Sequence, residues 1–520
     1  MTASSKPNLR EKLSLIARLL PRGDLTTAEA VARQLQQAYP RRAEANHALG
    51  QILTLGGRPE VAEPFLRRAV ESEKSNADYR LELGQCLLMM GRVAEAAEEH
   101  ERARALAPSS PVVNWKCGTY LLGIGRGEEA LAAFRLALGK APDAEQPRIH
   151  LDMVECLLAL GRAEEAEAEI RAKLPSTPFR SRYVVLLSQA AKGDAGSPIF
   201  GLIEQELADP RLPPRARSDL MLRKGVLLDR SGRHEEALRC WLEAKALLRA
   251  SPRGAELGRL VDERIAAFPA EKIVRLSATY GTPGFAPIFV IGLPRSGTTL
   301  VSEILAAHDA VGNAGEIETI TYLAAMMRGS LAVARMEESL AALGAEKVRG
   351  FARLYQDAAR LLVPDKPLSV DKMPNNFLYL AEIAALFPEA RFIDCTRHPG
   401  DIFISAVQTE MNEAHSYSYD PADFALYHRH QRRLMRHWNE ALPGRIFELS
   451  YEDLVTSPRE VVARLLAFLG LAWQEACLSP GENRSTVRTF SRLQVRSAIH
   501  AGSVGRWRNY AAGLGPILQG

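Results

Sequence analysis

The chain has few cysteines, no long apolar run and little net charge, and each of these shortages excludes a class of protein. Its six cysteines include no C-x-x-C pair, so we expect neither a zinc cluster nor a disulfide framework. No stretch approaches the ~18 consecutive apolar residues that a transmembrane helix needs. A formal net charge of +4 over 520 residues does not favour a dominant role in binding nucleic acid.

The beginning of the chain also lacks the apolar segment of a secretory signal peptide, because it carries Lys6, Arg10 and Lys12. We therefore expect a protein of the cytoplasm without a membrane span. A hydrophobic content of 47% and a charged content of 25% are ordinary for globular proteins. The length leaves room for two or three domains, each with a core of its own.

The first half of the chain repeats with a period of 34 residues. Two sets of small residues follow this period: Gly50, Gly84 and Gly118, and Ala69, Ala103 and Ala137. Gly-Arg pairs begin at residues 57, 91 and 125, and another follows two residues late at 161. This pattern resembles the tetratricopeptide repeat, in which small residues let two helices approach closely. Each repeat buries its apolar face against its neighbours, so the pattern predicts a helical solenoid.

A later helical pair at residues 222–244 resembles one more repeat, although it is out of register with the others. The sequence thus predicts a tetratricopeptide domain at residues 1–175 and a helical adaptor at 176–270 that contains this pair. A third domain is expected at residues 271–520. Its alternation of apolar strands with helices predicts an α/β fold around a central parallel sheet, so the whole chain belongs to the α + α/β class.

Residues 287–300 predict a strand, a glycine-bearing turn and a helix start that together bind an anion. Backbone N–H groups of such a turn and the positive end of the helix dipole converge on one point. Arg295 adds a positive charge there. Hydroxyl and backbone donors come from one run of neighbouring residues: Ser296, Gly297, Thr298 and Thr299.

The missing lysine narrows the kind of phosphate that this turn would bind. Gly292 and Gly297 keep the spacing of an NTP-binding P-loop, but Thr298 stands where that loop has its lysine. The positive charge lies upstream, at Arg295. This change favours a metal-free nucleotide site over ATP or GTP hydrolysis, and a P-loop kinase is the weaker alternative.

A second anion site is predicted after the apolar strand at residues 391–396. Arg397 follows the carboxyl end of this strand, and Ser405 comes eight residues later, about two turns into an apolar helix. Ligands of doubly wound sheets lie just beyond the carboxyl ends of the strands. Both side chains could therefore reach one common oxyanion.

These motifs resemble the sulfotransferases that use 3′-phosphoadenosine-5′-phosphosulfate (PAPS). Residues 294–299 read P-R-S-G-T-T, as does the family's loop for the 5′-phosphosulfate. Arg397 and Ser405 match the arginine and serine of its 3′-phosphate motif. The resemblance implies PAPS as the cofactor, 3′-phosphoadenosine 5′-phosphate (PAP) as the product, and no metal ion. It covers residues 287 to about 510, and the architecture resembles bacterial tetratricopeptide–sulfotransferase fusions.

Further matches are closer to the protein-tyrosine sulfotransferase branch of that family. Glu316 lies 21 residues after Arg295, where the branch has its catalytic glutamate, and Lys372 matches a catalytic lysine at a strand end. Three residues match positions that contact the cofactor or close over it: Tyr451, Ser491 and Arg506. The branch usually has two adjacent glutamates, whereas Ile317 stands after Glu316 here, so Glu318 is the alternative base.

Sulfuryl transfer explains why these residue types would be needed. It resembles phosphoryl transfer, in which negative charge spreads over the equatorial oxygens of a loose transition state. Lys372 and Arg295 would stabilise that charge, and Glu316 would take the proton of the incoming hydroxyl. In the alternatives without catalysis, Glu316 stabilises the N-terminus of the next helix and Lys372 forms a salt bridge with Asp371.

We therefore expect a PAPS-dependent sulfotransferase that acts on an acceptor hydroxyl, with the repeats binding the acceptor or a partner protein. A peptide tyrosine, a carbohydrate and a small molecule are all open as acceptors, and the oligomeric state is open as well. The alternative is a repeat scaffold whose sulfotransferase-like domain has lost its activity. Arg295, Arg397, Ser405 and Lys372 are all retained, which favours the enzyme.

Overall fold

The computed structural model describes residues 8–191, 193–480 and 499–518. It divides the chain into two compact units, Met1–His150 and Leu151–Gly520. The predicted domain limits at residues 175 and 270 stay predictions. Among the described residues, no helix is both long and apolar enough to cross a membrane.

The first unit consists of helices that pack in consecutive pairs. In chain order they are α1 (Leu9–Leu19), α2 (Leu25–Ala38), α3 (Ala43–Leu55), α4 (Pro59–Ser72), α5 (Ala77–Met89), α6 (Val93–Leu106), α7 (Pro111–Gly123) and α8 (Gly127–Leu138). A short 3₁₀ helix, Leu20–Arg22, follows α1. Helix α9 (Gln146–Ala159) comes next in the chain.

The small residues of the 34-residue period lie where paired helices touch. A Cβ atom on Gly50 of α3 would come 2.6 Å from the side chain of Leu66 in α4. A Cβ atom on Gly118 of α7 would come 2.8 Å from Phe134 in α8. Both positions exclude any larger residue unless its neighbour moves, so the predicted close approach of the helices is present.

The second unit begins with further helices. They are α10 (Ala163–Lys173), α11 (Arg180–Ala190), α12 (Pro198–Leu207), α13 (Pro214–Arg230), α14 (His234–Ala246), α15 (Gly254–Ala267) and α16 (Ala270–Tyr280). Helices α13 and α14 form the predicted extra pair, in which Gly225 faces the buried ring of Trp241. The turn between them contains Gly232 with a left-handed φ of 74°.

A five-stranded parallel sheet forms the centre of the second unit. Its strands are β1 (Ile288–Gly292), β2 (Val311–Gly315), β3 (Leu368–Asp371), β4 (Arg391–Thr396) and β5 (Ile446–Ser450), in the spatial order β2-β3-β1-β4-β5. Phe289 of β1 lies opposite Asp371 of β3 and Phe392 of β4. The carboxyl ends of β1, β3 and β4 therefore lie side by side, at the edge where α/β folds bind their ligands.

Helices connect and cover the strands. They are α17 (Thr298–Ala306), α18 (Thr319–Arg328), α19 (Met336–Leu343), α20 (Ala345–Leu362), α21 (Leu380–Leu386), α22 (Pro399–Val407), α23 (Pro421–Ala441), α24 (Tyr451–Thr456), α25 (Pro458–Leu469) and α26 (Gly515–Leu518). Residues Arg506–Gly513 form a 3₁₀ helix. The predicted fold class is confirmed: helices come first, and an α/β domain with a parallel sheet follows. Strand β2 was not predicted from the sequence.

Candidate active site

The turn between β1 and α17 has a backbone that only glycine allows at two points. Gly292 has φ 142°, and a Cβ atom there would come 2.6 Å from the carbonyl oxygen of Cys395. Gly297, the N-cap of α17, has φ 104°, and its Cβ atom would come 2.7 Å from the ring of Tyr451. The turn is thus held against the neighbouring strand and against that ring, with its backbone open to a ligand.

The donors of this turn are buried at the start of α17. Thr298 and Thr299 lie in its first turn and are 4% and 7% exposed. The hydroxyl oxygen of Ser296 is buried and has no hydrogen-bond partner among the described residues. An unpartnered buried hydroxyl is costly unless a ligand or water completes it, so this atom points to an anion or another polar group.

Arg295 occupies an unusual backbone conformation in the same turn. Its φ of 76° lies in the left-handed region, which residues other than glycine rarely adopt. Its Nε donates a hydrogen bond of 2.8 Å to the hydroxyl of Ser405 in α22. The turn after β1 and the helix after β4, predicted as parts of two anion sites, therefore meet at this contact.

Arg397 lies at the end of β4, beside the same turn. One of its terminal nitrogens donates to the carbonyl of Arg295 at 3.1 Å, and the other donates to the carbonyl of Ser503 at 2.6 Å. Its guanidinium carbon lies 4.4 Å from the ring centre of Tyr451, a cation–π geometry. The Nε of Arg397 is buried without a hydrogen-bond partner among the described residues, so this N–H group could donate to a further acceptor.

Tyr451 thus packs between the two anion-binding motifs. It begins α24, is 9% exposed, and faces both Gly297 and Arg397. Ser450 caps this helix by accepting the N–H of Asp453 at 3.1 Å. The ring is therefore held at a strand-to-helix junction, in contact with both predicted motifs.

The electrostatics of this cluster favour a negative ligand. Burial, followed by the charges of Arg397 and Arg506, lowers the pKa of Arg295 to about 10. Burial also lowers the pKa of Arg397, while Asp401 and Glu452 partly compensate its charge. An anion placed among these guanidinium groups would relieve their mutual repulsion.

Glu316 and Lys372 meet on the other side of β1. Lys372 follows β3 and Glu316 follows β2, and the two strands are direct neighbours. The backbone N–H of Lys372 donates to the carbonyl of Gly315 at 2.8 Å, and the Nζ of Lys372 donates to Oε1 of Glu316. The Lys372 side chain is 4% exposed and that of Glu316 is 45% exposed. A buried cation is thus paired with an acid that reaches solvent.

The partner of Lys372 is therefore Glu316. The alternative partner, Asp371, points to the other face of β3, where Tyr355 donates a hydrogen bond of 3.1 Å to its carboxyl group. Burial raises the pKa of Asp371 to about 8, which weakens its ability to compensate the charge of Lys372. Glu318, the alternative base, is the exposed N-cap of α18.

The remaining predicted residues fall near the end of the chain. Arg506 begins the 3₁₀ helix Arg506–Gly513, and its Nη2 donates to the carboxylate of Asp229 at 2.6 Å. Ser491 lies outside the described residues. Trp507 stacks on His398 of the loop after β4, with ring centres 4.6 Å apart and planes 3° from parallel.

Three residues near the site escaped sequence reasoning. Asp401, in the first turn of α22, accepts the backbone N–H groups of Gly505 and Trp507 at 2.7 and 2.8 Å. His415 lies near Glu316. Burial lowers the pKa of its imidazole, and the negative charge of Glu316 partly offsets this shift. Asp229 belongs to the helical region. Only Asp401 had a local signal, an acid at a helix start; the other two have no motif around them.

No group of three or more histidine, cysteine, aspartate or glutamate side chains with metal-binding geometry occurs within residues 8–191, 193–480 and 499–518.

Comparison with known families agrees with the division into helical repeats and an α/β domain. Residues 287–475 match the Sulfotransferase family. Residues 18–76, 56–111 and 121–190 match tetratricopeptide repeat families. The family matches thus cover both the repeat region and the region around the parallel sheet.

Individual proteins show the same similarity at low identity. An uncharacterized protein of Aquifex aeolicus is 29% identical over 328 residues, which are 61% of this chain and 43% of that relative. A putative protein-tyrosine sulfotransferase of Caenorhabditis briggsae is 25% identical over 235 residues, 42% of this chain and 80% of the relative. The solved sulfotransferase domain from the Synechococcus PCC 7002 olefin synthase is 24% identical, with a TM-score of 0.34; the match covers 46% of this chain and 94% of that one. The chain spans less than half of the Aquifex relative.

Proposed function

Because the chain joins tetratricopeptide repeats to a sulfotransferase-family domain, we propose that it transfers a sulfuryl group from PAPS to an acceptor hydroxyl. The observation that carries the proposal is the cluster of partly buried guanidinium groups at Arg295 and Arg397. Next to them lie two buried polar atoms without a described partner, the Oγ of Ser296 and the Nε of Arg397. Polar atoms of this kind beside guanidinium groups favour an anionic ligand.

The cluster suits a ligand with negative groups at both ends of a ribose. The turn at residues 294–299 would bind the 5′-phosphosulfate through Arg295 and the donors of α17. Arg397 and Ser405 would bind the 3′-phosphate, and Tyr451 would contact the adenosine. When bound, PAPS supplies the sulfuryl group and leaves as PAP. Arg506 and, beyond the described residues, Ser491 would close this side of the site.

Glu316 and Lys372 are the proposed reacting pair. Glu316 would accept the proton of the acceptor hydroxyl, and its 45% exposed side chain can be reached from solvent. Lys372 and Arg295 would stabilise the negative charge that develops on the transferred group and on the leaving phosphate. The described contact of Lys372 is with Glu316, which supports Glu316 over Glu318 as the base.

A peptide tyrosine is the acceptor that we propose. Relatives named protein-tyrosine sulfotransferase support it. A tyrosine hydroxyl has a pKa near 10, so partial removal of its proton by Glu316 during attack is sufficient. The repeats would bind the acceptor protein or a partner, as solenoid surfaces commonly do.

Two measurements on the full chain test the proposal. The first is the melting temperature in the presence of PAP, because a ligand at 100 times its Kd stabilises the folded state by ~2.7 kcal/mol. The second is mass-spectrometric screening of peptides and glycans for transfer from labelled PAPS. Tyrosine peptides gaining the label would support the proposal. Absence of a shift at millimolar PAP would contradict it, and PAP binding without transfer to any acceptor would favour an inactive scaffold. A shift with ATP and Mg²⁺ that exceeds the shift with PAP would favour a kinase instead.

A further inference from the structure

The segment that carries Arg506 is fastened to the loop after β4. The carboxylate of Asp401 accepts the backbone N–H groups of Gly505 and Trp507, the two neighbours of Arg506. Trp507 stacks on His398, and a Cβ atom on Gly400 would come 2.8 Å from Trp507. These contacts hold the backbone of Arg506 beside the proposed 3′-phosphate site and leave its long side chain to be oriented by something else.

Asp229, in the last turn of α13, orients that side chain. One oxygen of its carboxylate accepts the Nη2 of Arg506 at 2.6 Å. Its other oxygen accepts the hydroxyl of Tyr510, and the Nδ1 of His234 lies 3.0 Å from the same oxygen. The Asp229 side chain is 13% exposed. This acid is therefore held on three sides, and a guanidinium group with five N–H donors keeps capacity for an anion besides this contact.

The charge of Arg506 already acts inside the cation cluster. It contributes to lowering the pKa values of both Arg295 and Arg397. Asp229 belongs to the pair α13–α14, which lies outside the segment that matches the sulfotransferase family, residues 287–475. A residue of the repeat-like helices thus touches a cation of the proposed cofactor site.

A second set of contacts joins helices α11 and α14 to the residues just after α22, the helix that carries Ser405. The buried Lys245 of α14 donates to the carbonyl of Thr409 at 2.6 Å, and Arg182 of α11 contacts Glu410 at 2.9 Å. The hydroxyl of Thr409 in turn donates to the carbonyl of Ser405 at 2.7 Å. Helices α11, α13 and α14 therefore contact the surroundings of the proposed cofactor site at two places.

From these contacts we propose that Asp229 is a positioning residue for Arg506, so that the helical pair α13–α14 forms part of the PAPS site. The inference rests on the proposed function. The carboxylate of Asp229 holds the guanidinium group of Arg506 where it can contact the cofactor. A long unrestrained arginine would lose side-chain entropy when the cofactor binds. The ion pair with Asp229 orders the side chain beforehand, so binding costs less entropy.

The experiment compares PAP affinities of full-length variants by isothermal titration. Asp229→Asn keeps the shape of the side chain and removes its charge, and we expect the Kd for PAP to rise about fivefold to tenfold. Arg506→Gln should raise it at least as much. The double variant should be no weaker than Arg506→Gln alone, because Asp229 acts only through Arg506. Glu236→Gln is the matched control, since its exposed pair with Arg233 lies on the same helical pair and should leave the Kd unchanged.

Turnover separates a positioning role from a general structural one. With saturating PAPS, Asp229→Asn should keep its kcat within about twofold while the KM for PAPS rises with the Kd. Tyr510→Phe removes the hydroxyl that holds the other oxygen of Asp229 and gives a second, milder variant, which should raise the Kd about twofold. It keeps the inference testable if Asp229→Asn does not fold.

Wild-type affinity for PAP in folded variants at Asp229 and Tyr510 would overturn the inference and leave the proposed function intact. Additive losses in the double variant would overturn it in the same way. A wild-type chain that does not bind PAP at all would overturn the proposed function itself.

Discussion

The two parts of the candidate site differ in how far their charges are satisfied. The cluster around Arg295 and Arg397 combines partly buried cations, lowered pKa values and two buried polar atoms that have no partner within the described part of the chain. On the other side of β1, the buried cation of Lys372 already has an acid, Glu316. The first part is the one that we propose to bind a ligand, whereas the second part contains a described ion pair between Lys372 and Glu316. We therefore expect changes in the first part to alter mainly the affinity for PAP, and changes in the second part to alter mainly turnover.

The largest expected effect is on turnover and follows from removing the acid. Glu316→Ala should lower kcat by about 100-fold to 10,000-fold, the usual contribution of a general base. Its affinity for PAP should stay close to that of the wild type, because Glu316 does not belong to the cation cluster. Rates with labelled PAPS and PAP titration check both parts.

Glu318→Ala is the matched control for that variant, since Glu318 is two residues away and exposed. It should retain most of the activity. A normal rate in Glu316→Ala together with a slow Glu318→Ala would move the base to Glu318. Loss of PAP binding in Glu316→Ala would contradict the separation of the two parts.

A smaller effect, on affinity, is expected from the cation cluster. Arg397→Ala should weaken PAP binding by ~2 kcal/mol, about thirtyfold, because charge-assisted hydrogen bonds to a phosphate are lost. Arg391→Ala is the control, as this exposed arginine lies at the opposite end of the same strand, where its side chain donates to the carbonyl of Gly444 and lies over the ring of Phe468. Equal PAP affinities of the two variants would show that Arg397 does not bind the ligand.

An effect on stability, and not on turnover or affinity, is expected from Asp371, the neighbour of Lys372 that does not pair with it. Burial raises its pKa to about 8, and the groups around it are Tyr355, Lys372 and Glu316. The folded state then keeps a proton that the unfolded state releases, so stability should fall as pH rises from about 4 to about 8. Asp371→Asn removes this contribution, which is at most about 1.4 kcal/mol per pH unit.

Unfolding midpoints of the wild type and Asp371→Asn between pH 5 and 8 check this prediction. The two curves should diverge as pH rises, with the variant gaining relative to the wild type. Parallel curves would mean that Asp371 is ionised in the folded state and competes with Glu316 for Lys372.

The turns that carry Arg295 and Arg397 could be predicted because their signals are local, whereas their binding of an anion stays a prediction. The run at residues 294–299 and the pair Arg397 and Ser405 each lie within one strand-turn-helix unit, where spacing determines geometry. The repeat helices were predictable for a similar reason, since Gly50 and its equivalents recur at a constant interval. Strand β2 escaped because its sequence, V-G-N-A-G, is short and contains two glycines, which weaken any strand pattern.

Contacts between distant segments could not be predicted from the sequence. The bond from Arg295 to Ser405 joins residues 110 positions apart, and the bond from Arg506 to Asp229 joins residues 277 positions apart. The sequence offered Asp371 as the partner of Lys372 because the two are adjacent. At the end of β3 the two side chains point in opposite directions, which leaves Glu316, just after the neighbouring strand β2, as the partner.

The proposed ligand of the cation cluster is an adenosine with phosphates at both its 3′ and 5′ positions. The most direct test is the ratio of the Kd for adenosine 5′-phosphate to the Kd for PAP, measured in EDTA for the wild type and for Arg397→Ala. We expect the wild type to bind PAP at least about tenfold more tightly than adenosine 5′-phosphate. This preference should largely disappear in Arg397→Ala. Equal wild-type affinities for the two nucleotides, or an unchanged preference in Arg397→Ala, would contradict it.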